Sequence, residues 1–180
     1  MTATVNEKLV DEARDGSVEA LEQLLESVWP DAYRIAYSIV RDRTAAEDAA
    51  QESCATVYRS ISTLRTAGAF RVWFYRIVAR EGLRQSRMSA AQTAGASAQV
   101  PPDRESRLDI ARALETLSPD LRAAVVLHYY ADLTSREIAE VLGLAAPTVR
   151  FRLMLARRRL KPLLAERFPT NPPQCAKESL

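Results

Sequence analysis

Three groups of residues have types and spacings suited to chemistry, and in each the chemistry is binding rather than bond-making. The first is a run of cations, Arg150, Arg152, Arg157, Arg158, Arg159 and Lys161, threaded through Val149, Leu153, Ala156 and Leu160. Those four apolar residues recur at the helical period and claim one face, which leaves the cations outward. Such an array neutralises phosphates along a nucleic-acid backbone, with affinity that falls as salt rises. Sequence preference comes only from side chains that reach base edges, for which Thr148, Arg150, Phe151, Arg152, Met154, Arg157 and Arg158 are the candidates. The competing reading is a solvated basic helix that closes a bundle. Phe151, Met154 and Leu155 add an apolar patch opposite the core stripe, suited either to thymine methyl groups or to a partner protein.

The second group is Phe70-Arg71-Val72-Trp73-Phe74-Tyr75-Arg76-Ile77-Val78-Ala79-Arg80, running on to Arg84 and Arg87. Aromatics interleaved with cations suit a single strand, whose bases stack on rings while cations follow its backbone. Phe70, Phe74 and Ile77 share a stripe and are expected in the core, Trp73 is open to either role, and Arg71, Arg76, Arg80 and Arg84 are left for nucleic acid. The third group is Asp48, Gln51 and Glu52, spaced i, i+3, i+4 and so on one helical face, available to a partner or simply to water.

The elements that must position these groups are helical. Thr134 with Glu137 three residues on reads as a capping box, Ile138, Ala139 and Leu142 as an inward face, Gly143 as a left-handed turn, and Pro147 as the first turn of the next helix. That order is the grammar of a helix-turn-helix. Upstream, Leu21, Leu24, Leu25, Val28, Ile35, Ala36 and Ile39 recur at helical spacing and predict an N-terminal bundle. Pro30 and the polar stretch 41–44 punctuate it, Thr44 and Glu47 read as a capping box for the following helix, and residues 63–68 give another break. From Met88 to about Asp103 the chain is small and polar apart from Val100, and reads as a flexible linker. The predicted fold class is therefore all-α, with two small helical domains: residues 1–87, a linker at 88–104, a second domain at 105–168 and a disordered tail at 169–180.

Composition agrees. The 180 residues include five glycines and are dominated by good helix formers. The net charge of +2 hides an imbalance, since residues 1–52 carry twelve acids against five bases. An acidic portion facing protein and a basic portion facing nucleic acid would account for it. Cys54 and Cys175 lie far apart without metal-ligand spacing, His128 is the only histidine, and no phosphate-cradling glycine loop is present. Neither an enzyme nor a cofactor or metal site is expected. No apolar run reaches membrane-spanning length, so a cytoplasmic location without membrane insertion is expected.

Ala46-Glu47-Asp48-Ala49-Ala50-Gln51-Glu52, followed by Tyr58-Arg59, resembles region 2.2 of the extracytoplasmic-function (ECF) branch of the sigma-70 family. The aromatic-basic stretch resembles regions 2.3 and 2.4, and the helix-turn-helix resembles region 4. The resemblance covers roughly residues 17–164 and includes the order of bundle, tether and helix-turn-helix. It implies that Asp48, Gln51 and Glu52 dock on the clamp helices of core RNA polymerase. It further implies that Arg65, Arg71, Trp73, Arg76, Arg80 and Arg84 meet the minus-ten element of promoter DNA, with 63–69 as the flipped-base pocket. Region 4 would anchor on the minus-thirty-five duplex, the linker would thread toward the polymerase cleft, and an anti-sigma factor would hold the subunit inactive. Two departures are Arg80, where the family often has Asn, and the Ala145-Ala146-Pro147 lead with Phe151 and Leu155 in place of a more polar pattern. The alternative is a ligand-sensing helix-turn-helix regulator that does not bind polymerase; it accounts for 108–164 but not for the signatures at 46–59 and 70–87.

Overall fold

A computed structural model describes residues 5–92 and 112–165. Among them there are helices and turns but no strand. Helix α1 (Glu7–Arg14) is capped by Asn6, and α2 (Val18–Val40) by Ser17, whose hydroxyl accepts from the Ala20 amide. Leu24, Val28, Ala32, Ile35, Ala36 and Ile39 give α2 one buried face. Pro30 does not interrupt it, contrary to the expected break. Its missing N–H leaves the Glu26 carbonyl without a helical partner, but both residues are on the exposed side, where water replaces that bond while buried neighbours hold the two halves in line. The helix stops at Arg41, in the left-handed region at φ 64°.

Helix α3 (Arg43–Ser60) starts two residues earlier than a Thr44 cap would allow. Asp42 is the cap, accepting from the Ala45 amide at 2.8 Å, and Glu47 instead pairs with Arg43 at 3.0 Å. A carboxylate at the true helix start outcompetes the hydroxyl two residues on. Ala46, Ala49, Ala50 and Ser53 are buried small residues along α3, which bring it close to its neighbours. Two single 3-10 turns, Ile61–Thr63 and Ala67–Ala69, lead into α4 (Phe70–Gln92). This helix continues five residues past Arg87, through Met88, Ser89, Ala90, Ala91 and Gln92, a stretch with neither glycine nor proline to end it. Helices α2, α3 and α4 pack on one another as a bundle, with α1 against α2.

In the second domain the described residues open with helix at 112–115, followed by α5 (Pro119–Tyr129), α6 (Ser135–Leu142) and α7 (Ala146–Ala165). Residues 93–111, which hold most of the expected linker, and the tail from 166 onward lie outside the described residues. The two domains touch: α5 packs on α2 and α6 on α4, and a single cluster of buried apolar residues runs through both. Polar bridges cross that contact. Arg122 donates to the carbonyls of Ile39 and Leu117 at 2.9 and 2.8 Å, and Arg41 pairs with Glu115 at 2.8 Å. The Tyr130 hydroxyl donates to Asp31 at 2.7 Å and accepts from Arg34 at 3.3 Å.

Candidate nucleic-acid and partner interfaces

The helix-turn-helix is built as its residues dictate. The Thr134 hydroxyl accepts from the Glu137 amide at 3.3 Å, while the Glu137 carboxylate accepts from the Thr134 amide and hydroxyl at 2.8 and 2.7 Å. The backbone hydrogen bond from Thr134, with smaller help from its hydroxyl and from Arg71, holds the Glu137 carboxyl below its ordinary range. Gly143 takes φ 66°, a conformation in which a Cβ would be strained, and the Leu144 amide closes the turn on the Ala139 carbonyl at 2.9 Å. Helix α7 then buries Val149, Leu153 and Ala156.

On the outer face of α7, Thr148, Arg150, Phe151, Met154, Arg157 and Arg158 are exposed. Phe151 and Met154 keep 59% and 54% of their surface, enough to make an apolar patch, whereas Leu155 is half-buried against the core and leaves that patch smaller than the sequence implied. Two of the candidate cations are already engaged. Arg152 is half-buried and reaches Asp120 at 3.4 Å. Arg157 donates to the Tyr129 hydroxyl at 2.7 Å, lies over that ring at 5.7 Å, and approaches His128 Nε2 at 3.3 Å. Since His128 Nδ1 faces the Leu133 carbonyl at 3.0 Å, the ring donates from Nδ1 and offers its Nε2 lone pair to Arg157. The lone histidine is thus a support for a cation.

Helix α4 spends its aromatics mostly on the core. Phe70 and Phe74 are buried and stacked 5.7 Å apart, and Tyr75 is buried beside them. Trp73, which the sequence left undecided, is half-buried, tilted against Phe70 at 6.0 Å. It also lines an open cavity of about 390 Å³ with Arg76, Ile77, Arg80 and Glu81 of α4 and Thr56 and Ser60 of α3. The Arg76 Nε is buried there without a hydrogen-bond partner. An indole, two guanidiniums and two hydroxyls around one opening suit an unstacked base and its phosphate. Thr56 and Ser60 escaped the sequence reading, since their only signal is position on the neighbouring helix. Arg80 is exposed, Arg84 is exposed and pairs with Glu81 at 2.7 Å, and Arg65 is exposed between the 3-10 turns. Arg71 points elsewhere, donating to the Asp132 carbonyl of the second domain at 3.2 Å.

On α3, Asp48 and Gln51 are exposed, and Glu52, half-exposed, pairs with Arg59 at 2.6 Å. Among the described residues no cluster of His, Cys, Asp or Glu has metal-binding geometry, and no helix is long and apolar enough to cross a membrane.

Comparison with known proteins bears on the family. A family model described as Sigma-70 region 2 matches residues 24–91, and one described as Sigma-70, region 4 matches 107–160. The RNA polymerase sigma factor SigV of Bacillus subtilis is 28% identical over 137 residues, covering 73% of this chain and 82% of that protein. The ECF RNA polymerase sigma factor SigM of Mycobacterium tuberculosis is 31% identical over 155 residues, covering 83% and 79%. Among solved structures, the sigma factor RpoE of Bartonella quintana, in complex with the anti-sigma factor NepR, superposes with a TM-score of 0.70 at 24% identity, covering 82% of this chain and 98% of that one, a likeness of fold. With both regions matched in order and a relative of this identity aligned over most of its length, the chain belongs to the ECF sigma factors of the sigma-70 family.

Proposed function

We propose that this sigma factor binds core RNA polymerase through Asp48, Gln51 and Glu52, opens and reads the minus-ten element with the cavity between α3 and α4, and anchors on the minus-thirty-five duplex with the outer face of α7. The observation that carries the reading is the coexistence of three separate surfaces on one chain: an exposed acidic face, a cation-and-indole cavity, and a basic helix following a closed helix-turn-helix. Trp73, Arg76 and Arg80 line the cavity and contact an extruded base and its backbone. Arg65 and Arg84 flank it along the strand. Arg150 and Arg158 reach phosphates or guanine edges, Phe151 and Met154 meet thymine methyls, and Thr148, Arg152 and Arg157 set the depth and tilt of α7. Bond formation belongs to the polymerase. As a partner of that enzyme the chain acts in the cytoplasm, and an anti-sigma partner, as RpoE has in NepR, is the expected regulator.

The test is reconstitution with sigma-free core polymerase on a pool of genomic promoter fragments. Specific initiation, lost on Asp48→Arg with Glu52→Arg while the fold is retained, is the expected result. Sequence-specific DNA binding with no association with core would overturn the reading in favour of a ligand-sensing regulator.

A further inference from the structure

A second recess, of about 720 Å³, opens between the helix at 112–115, α5 and the C-terminal half of α7, with Ser38 of α2 also lining it. It shares only Arg157 with the three surfaces assigned to polymerase and DNA. Its floor is hydrocarbon: Ala113, Val125 and Val126 are buried, and Leu114 and Leu160 are half-buried. Apolar side chains around a gap forgo the dispersion contacts that a neighbour would give. A recess of this volume, mostly apolar with a few polar groups, has the form of a small-ligand site.

The mouth is of different chemistry. Tyr129, Arg157 and Lys161 stand around it, all three exposed. Arg157 is already fixed in place: its Nε donates to the Tyr129 hydroxyl at 2.7 Å, Nη2 lies 3.3 Å from His128 Nε2, and Cζ sits over the Tyr129 ring. These contacts occupy two of the five guanidinium N–H groups and leave Nη1 free to donate. The Tyr129 hydroxyl accepts from Arg157 and keeps its own hydrogen for an acceptor. Tyr130, the other phenol of the lining, is committed to Asp31 and Arg34. Among the described residues that line the recess there is no carboxylate. A held guanidinium, an ammonium and a phenolic donor beside a hydrocarbon floor are thus complementary to a molecule with one anionic end and an apolar body. A carboxylate matches the guanidinium fork and has lone pairs left for the other two donors.

We propose that this recess binds a small amphiphile with a carboxylate head and a single hydrocarbon body, the head on Arg157, Lys161 and the Tyr129 hydroxyl and the body over Val125, Val126 and Leu114. Occupancy puts a negative charge beside Arg157 and so weakens the hold of α7 on a phosphate backbone. That consequence rests on the proposed minus-thirty-five contact; the site itself does not, and it neither requires nor excludes association with polymerase.

Titration calorimetry of the full chain with decanoate, kept well below its micelle-forming concentration, tests the site. The expected result is saturable binding of one molecule per chain, with decanol, which has the same body and no charge, bound roughly tenfold more weakly. Arg157→Ala with Lys161→Ala should erase that difference by weakening decanoate alone. Val126→Trp, which fills the floor, should abolish binding of both; if it lowers helical circular dichroism, Leu114→Trp at the half-buried edge takes its place. Absence of saturable binding, equal affinity for decanol and decanoate, or a folded, filled variant that binds as wild type would each overturn the proposal. So would a dimeric wild-type chain that the filled variant makes monomeric, because a second copy then covers the recess. Bound decanoate should weaken binding to an isolated minus-thirty-five duplex about threefold. Unchanged duplex affinity would overturn the coupling, whereas a free chain that binds no duplex would refute the minus-thirty-five contact and leave the calorimetric result standing.

Discussion

Helices α4 and α7 are both cationic and both proposed to meet DNA, yet they reach that role by opposite routes. In α7 the division of labour is clean, with Val149, Leu153 and Ala156 inward and Arg150, Phe151, Met154 and Arg158 outward. In α4 the two jobs share residues: Phe70, Phe74 and Tyr75 are core, Trp73 serves core and cavity, and Arg76 is half-buried. A helix that lies on a duplex needs only a surface, whereas one that receives an extruded base needs a recess, and a recess is cut into packing. Function and stability should therefore separate by mutation in α7 and stay entangled in α4.

The largest effect expected is at Phe74. Phe74→Ala removes a fully buried ring stacked on Phe70 and should cost about 3–5 kcal/mol, read as a lowered denaturation midpoint by circular dichroism. A loss below about 1 kcal/mol would break the claim that α4's aromatics are structural. Next comes Arg76→Ala, which should weaken binding to single-stranded minus-ten oligonucleotide about tenfold and also shift stability, because the side chain fills the wall between α3 and α4. By contrast, Arg150→Ala and Arg158→Ala should leave stability within about 0.5 kcal/mol of wild type while lowering the salt slope of duplex binding by roughly one for each phosphate no longer neutralised. An equal stability loss in α4 and α7 variants would erase the distinction.

A further effect is local to the helix-turn-helix and leaves DNA-facing side chains in place. Thr134→Ala breaks the capping box and should cost about 1 kcal/mol. Because the folded Glu137 carboxyl is held below its ordinary value, the box contributes fully above the usual glutamate range and is lost as pH falls through the depressed value. Acid titration of stability should thus be flatter in Glu137→Gln than in wild type, whereas Thr134→Ala, which keeps the backbone N–H that is the larger cause of the depression, should flatten it less. Identical acid profiles for wild type and Glu137→Gln would show that the box does not couple to folding.

The residues themselves determined much of this molecule. The all-helical class, the turn at Gly143, the Thr134–Glu137 box and the buried stripe of α7 follow from local spacing and cap chemistry, which act over three or four residues and are legible in one dimension. The same locality explains where expectation and structure part. Whether Asp42 or Thr44 caps α3 depends on which residue stands at the helix start, and whether Pro30 breaks α2 depends on buried neighbours that hold the helix across it. Tertiary structure alone decided that Thr56 and Ser60 join Trp73 and Arg76 around one opening, that Leu155 turns partly inward, and that Arg71 and Arg122 reach across to the other domain. Each of those outcomes depends on a neighbour many residues away, and no periodicity within a helix encodes which helix it will face.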